Sequence, residues 1–170
     1  MKKLKLFYSL VLFIIFASLA PHWAIAQEAS VLGGNDLNRV VPTGFYFEGR
    51  SGQTQMRNAA AVRFGEKRHV IAAMVDTTGY ASDVQAKYEG FFITDSKIAV
   101  GGTEVASGAY GFGFSKEGKL NLYDLSGSLS KSVAAAKDNE LRNPRPLMMV
   151  KGTDGVRLYH GRHFVILAAK

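Results

Sequence analysis

The sequence predicts an all-β domain, a single antiparallel β-barrel or β-sandwich of about 8–11 strands with at most one or two short helices. Three observations predict it. From Gly44 onward apolar residues recur with period two rather than 3.6. Glycine-rich turn signals punctuate that pattern at intervals of about eight to twelve residues. The chain also has 170 residues, 47% of them hydrophobic and 21% charged, which suits one packed domain. It contains no cysteine, so neither a disulfide scaffold nor a thiolate zinc site can be built.

Residues 1–26 read as a secretory signal. Lys2, Lys3 and Lys5 form a positive start, Leu6 to Ala20 is an uncharged apolar run, and Pro21 breaks it. Ala24-Ile25-Ala26 then offers the small residues that a signal peptidase accepts, leaving Gln27 as the new N-terminus. An uncleaved anchor is the rival reading, but the apolar run of about 15 residues falls short of the roughly 20 that span a bilayer. No cysteine follows the signal to carry a lipid. The expectation is an exported protein, periplasmic or extracellular, with no membrane span after cleavage. Loss of the three lysines lowers the net charge from +7 to +4. That balance is ordinary for a domain of this size and does not call for nucleic acid.

Residues 27–43 are polar with scattered apolar positions and read as a flexible lead-in. Residues 44–170 form the β-domain. Its expected strands are Gly44–Glu48, Asn58–Phe64, His69–Val75, Tyr88–Thr94, Lys97–Val100, Ala109–Phe114, Leu120–Leu125, Ser130–Ala136, Leu147–Lys151, Val156–His160 and His163–Ala168. Between them lie turns such as Gly65-Glu66-Lys67, Gly101-Gly102, Lys116-Glu117-Gly118 and Asp154-Gly155. Two stretches, Ser51–Ala61 and the alanine-rich Ser130–Asp138, are open between helix and strand.

In Ala109-Tyr110-Gly111-Phe112-Gly113-Phe114 three aromatics share one strand face and two glycines the other. Glycine weakens a strand interior, so something should need the missing side chains. A bulky group packed on the backbone or a coiled barrel corner would explain them structurally. A ligand lying on the bare backbone is the functional version, with Tyr110, Phe112 and Phe114 as candidate contacts. Near the C-terminus, a Gly161-Arg162 loop of type II′ would close a hairpin that opposes His160 to His163, Leu158 to Val165 and Val156 to Leu167. Opposed imidazoles can share Zn²⁺ or Cu²⁺, yet no third ligand is evident, and a polar hairpin rim accounts for the pair equally.

Several motifs resemble catalytic ones only in part. Gly113-Phe114-Ser115-Lys116-Glu117-Gly118-Lys119 follows a phosphate-binding loop until Leu120 stands where Ser or Thr would hold magnesium. Ser128-Leu129-Ser130-Lys131 has a Ser-x-x-Lys spacing without its Lys-Thr-Gly partner. No constellation points to an enzyme, and no cofactor is called for. Arg50, Arg57, Arg63, Lys67 and Arg68, with Glu48 and Glu66 among them, form a basic stretch that suits either a solvated sheet face or an anionic surface. Arg142-Asn143-Pro144-Arg145-Pro146 reads as a stiff crossing loop. Its arginines, Arg142 and Arg145, would pair with carboxylates of the fold or reach an acidic ligand.

Ile98-Ala99-Val100-Gly101-Gly102, followed by Ala106-Ser107-Gly108 and the aromatic strand, is similar to a pattern in an uncharacterised family of small exported bacterial β-domains. Gln55-Met56-Arg57-Asn58-Ala59-Ala60 and Pro144-Arg145-Pro146-Leu147 resemble further parts of it. The resemblance implies an exported β-domain; it brings no activity and no catalytic residue. The leading expectation is therefore a structural or interaction domain of the cell envelope with no catalytic activity, partnered by an envelope protein. The alternative is a β-barrel binding module for a small apolar or amphipathic ligand.

Overall fold

The computed structural model describes residues 28–170, so the expected signal segment lies outside the described residues. Two antiparallel sheets face one another as a sandwich. The larger holds eight strands, with β1 (Ala29–Leu32), β3 (Arg50–Phe64), β4 (Arg68–Val75), β5 (Gly90–Thr94), β8 (Gly108–Phe114), β9 (Lys119–Tyr123) and β10 (Leu129–Ala134) in that spatial order, and β2 (Gly44–Phe47) paired to β3. The smaller holds six, ordered β12 (Arg145–Lys151), β13 (Val156–Gly161), β14 (His163–Ala169), β6 (Ile98–Val100) and β7 (Thr103–Val105), with β11 (Ala136–Lys137) paired to β14. Two short helices, α1 (Gly34–Val40) and α2 (Ser82–Gln85), complete it. The sheets do not close into a barrel, which resolves the alternative that period-two patterning leaves open.

Between the sheets lies an apolar core in which Phe92, Phe112, Leu120, Leu122, Leu158 and Leu167 are fully buried. A second core covers the opposite face of the large sheet, where Phe45, Phe47, Tyr80, Val84 and Tyr88 pack on Ala61, Ala73 and Phe91. Strands β4 and β5 are thus buried on both faces. That is why Val70-Ile71-Ala72-Ala73-Met74-Val75 reads as a continuous apolar run rather than an alternating one.

Both ambiguous stretches are strands. Ser51–Ala61 lies within β3, where β2 and β4 provide ladder partners along its length. Ser130–Asp138 supplies β10 and then β11, passing from the large sheet to the small one through Ala135, whose amide donates to Gly118 O at 2.9 Å. Alanine's helix preference is well under 1 kcal/mol per residue and yields to these tertiary ladders. The segment expected as a flexible lead-in carries β1, paired with Ala61–Phe64 of β3, and α1, whose Leu37 and Val40 pack on the outer core. The short strands β1 and β7 had no expectation.

The glycines of the aromatic strand face the outer core. Phe47 lies flat against Gly111, where any Cβ would collide with its ring. A Cβ on Gly113 would strike the Lys87 carbonyl, and one on Gly90 the Ala73 carbonyl. The C-terminal hairpin has the expected register, including His160 opposite His163, and Gly161 takes φ 59°.

Replacing Phe112 with Ala should cost roughly 3–5 kcal/mol in chemical denaturation, since the ring is wholly enclosed. Gly113→Val should destabilise as well, because its obstacle is backbone and cannot rotate away; a variant melting with the parent would refute the crowding. Glu104 gives a titration test. Lys170 at 2.9 Å and Lys97 at 3.0 Å hold its carboxyl down at about 2. Its small, solvent-exposed contribution is therefore complete above the ordinary 4.5 and is lost as pH falls toward the folded value. In an NMR titration Lys170→Ala should raise that midpoint.

Candidate functional site

At one side of the sandwich β12, an edge strand of the small sheet, packs against β1 and β3 of the large one. A cleft of about 230 Å³ sits in this seam. Val31 and Leu32 of β1, Leu37 of α1, and Leu147, Met148 and Met149 of β12 form its apolar walls. Ala59 and Ala60 of β3 line it too, and their bare methyl groups leave the room that larger side chains would fill.

Two arginines stand on this apolar ground, Arg57 from β3 and Arg145 from β12. The route by which each arrives is local. Between the Thr54–Val75 and Ala59–Ala73 pairs the ladder is irregular, with five steps on β3 against two on β4. Arg57 lies in this irregular stretch, on the exposed face that it shares with Gln53 and Gln55. Within it Gln55 donates to Val75 O at 3.0 Å and Asn58 to Gln55 Oε1 at 2.8 Å, fixing the loop of extra residues. Arg145 opens β12 opposite Gly161 and precedes Pro146, which holds it extended. The preceding loop is tied down by a different arginine: Arg162 donates to the carbonyls of Asn139 at 3.0 Å and Leu141 at 2.7 Å. Among the described residues, no carboxylate lies within ion-pair distance of Arg57, Arg142 or Arg145. An exposed guanidinium is stable in water without a partner. What distinguishes Arg57 and Arg145 is that both border one surface cleft, beside leucine, methionine and valine side chains.

The remaining sequence candidates lie elsewhere. Phe112 is enclosed by the sandwich core, and Tyr110 and Phe114 pack against it. Tyr110 donates its hydroxyl to Ala106 O at 3.1 Å. The Phe114 ring stacks on His160 with centroids 4.6 Å apart and planes 9° from parallel. The bare backbone opposite these aromatics is covered by Phe47 and Lys87, so the chain itself occupies the place where a ligand was envisaged. Arg142 is exposed on its loop. The basic stretch disperses: Arg50 lies against Gly79, Arg68 donates to Lys170 O at 2.8 Å, and Glu48 meets Lys87 at 2.5 Å.

His160 and His163 face each other, yet each is engaged by other neighbours. His160 Nε2 lies 3.4 Å from Glu89 Oε1, while Glu89 Oε2 accepts the Phe114 amide at 2.8 Å. His163 adjoins Gly118. Among the described residues no three His, Asp or Glu side chains gather into a metal-ligating group. Near the outer core, burial pushes the Tyr88 hydroxyl well above the ordinary tyrosine value, and that hydroxyl has no hydrogen-bond partner. Tyr80 covers it, with ring centroids 5.3 Å apart, and donates its own hydroxyl to Arg50 O at 2.9 Å.

No family model matches the chain, and no curated protein or solved structure matches it either. The functional argument therefore rests on the residues. Sequence reasoning found Arg145 and named Arg57 within a charge run, but it missed the cleft, because Val31, Leu32 and Leu37 fell in the supposed lead-in. Their signal was present: Leu37 and Val40 are spaced i, i+3, as one helix face requires.

Zinc titrated at micromolar concentration should leave the His160 and His163 imidazole resonances unmoved. Saturable shifts that vanish in His163→Ala would overturn this.

Proposed function

We propose that the chain is an exported, non-catalytic interaction domain of the bacterial cell envelope. The observation that carries the interaction role is where the apolar groups lie. Val31 and Val150 remain exposed on the edge strands β1 and β12 that pack together at the seam, while Tyr46, Leu125 and Leu129 are exposed singly elsewhere on the surface. Edge strands are normally protected by charge or proline, and β12 has Pro146 and Lys151 at its ends but Val150 bare between them. Exposed apolar residues beside a free edge suit a protein partner. Export rests on the signal-like residues 1–26. No helix among the described residues is long and apolar enough to cross a membrane.

A second reading has an observation of its own. The cleft between β1 and β12 suits a small apolar or amphipathic ligand at the surface, without the lumen that a barrel would have provided. The two readings use the same seam.

Intact mass of the protein recovered from cells should begin at Gln27, and tryptophan fluorescence should disappear with Trp23, the only tryptophan. A full-length membrane-embedded product would remove the export proposal. A photo-crosslinker placed at Val150 should give a discrete protein adduct in envelope extracts, while one at Lys116 should not. Equal or absent labelling at the two positions would count against the interaction reading.

A further inference from the structure

We infer that the cleft between β1 and β12 binds a small amphipathic carboxylate, its head held by Arg57 and Arg145 and its short apolar tail resting on Leu37 and Met148. This rests on the ligand-binding reading above and narrows it to one chemical class.

Charge selects the head group. Two guanidiniums border one cavity, and neither has a carboxylate partner among the described residues. The nearby acid on α1, Asp36, lies 3.8 Å from Arg39 of the same helix. Guanidinium forks bind carboxylates in a bidentate manner, and two of them on one ligand add geometric selectivity even where, as here, both arginines are exposed to solvent. The walls select the tail. Leucine, methionine and valine side chains with alanine methyls offer an inorganic anion little beyond the two arginines, but they reward an alkyl or aryl group. Methionine also adapts to tails of differing shape.

Size limits the ligand. At about 230 Å³ the cleft is smaller than the roughly 300–1,000 Å³ of pockets that hold drug-sized molecules. It cannot deepen into the sandwich, because Leu147 and Met149 are buried against the core directly behind it. A carboxylate with a tail of a few carbons fits this space; a long acyl chain does not.

Two-dimensional NMR of the purified protein, titrated in turn with hexanoate, 1-hexanol, acetate and inorganic phosphate, tests this. Hexanoate should shift the Met148 and Leu37 methyl signals saturably, together with the Arg145 side-chain N–H. Hexanol should bind weaker by about tenfold, the scale of one charge-assisted hydrogen bond. Acetate and phosphate should give no saturable shifts. Arg57→Gln and Arg145→Gln should each weaken hexanoate while leaving the rest of the spectrum in place, and Lys116→Gln should change nothing. If hexanol matches hexanoate, the arginines' role is overturned though an apolar ligand site survives. Phosphate binding as tightly as hexanoate would also overturn it, leaving a plain anion site. If none of the four binds, both this inference and the ligand-binding reading fall.

Discussion

Everything in this molecule is arranged around a sheet that is buried on both faces. Its inner face meets the small sheet, and its outer face is covered by the β2 arm, α1, and the segment that carries α2 and Tyr88. The closest approach in that outer layer is aromatic ring on bare backbone. Phe47 rests on Gly111, stacks on Tyr88 at 4.1 Å, and meets Tyr123 edge-on at 6.4 Å. With the Lys87 carbonyl seated over Gly113, the outer layer reaches the sheet more closely than Cβ atoms would permit. Among the described residues, no ligand has room against the sheet at Gly111 or Gly113.

Which parts were legible in the sequence follows from this layering. The pairing of β13 with β14 could be read to the residue from the Gly161-Arg162 loop, although neither strand alternates cleanly. Local chemistry fixes a two-residue hairpin, so no tertiary knowledge was required. The two glycines opposite three aromatics also announced a crowded face, although not what crowds it. Elements that depend on distant partners were opaque. Nothing near Ala29–Leu32 reveals that Ala61–Phe64 will pair with it, or near Ala136–Lys137 that β14 will; β7 differs, since it closes a local hairpin with β6 across Gly101-Gly102. The choice between barrel and sandwich likewise rests on non-local pairing, to which period-two patterning is blind.

The seam was half legible for the same reason. Arg145 stood out through its neighbouring prolines, but its companion Arg57 is one of several exposed residues along β3, and only the packing of β12 on that strand brings the two to one cleft. The apolar walls come from β1, α1 and β12, more than a hundred residues apart in the chain. Conversely, the features most conspicuous in the sequence, the aromatic strand and the histidine pair, are absorbed by packing: one fills the core, and the other joins the sheets through Phe114 and Glu89. Conspicuous residues on a strand are often explained by the strand's own neighbours.

The passage of the chain from β10 to β11 has a further consequence. One continuous stretch, Leu129–Lys137, is hydrogen-bonded first to β9 in the large sheet and then to β14 in the small one. Neither layer can come apart without dragging this shared thread, so the sandwich has no internal fault line along which one sheet could open alone. Amide protons in the centres of both sheets should therefore exchange through a single cooperative opening.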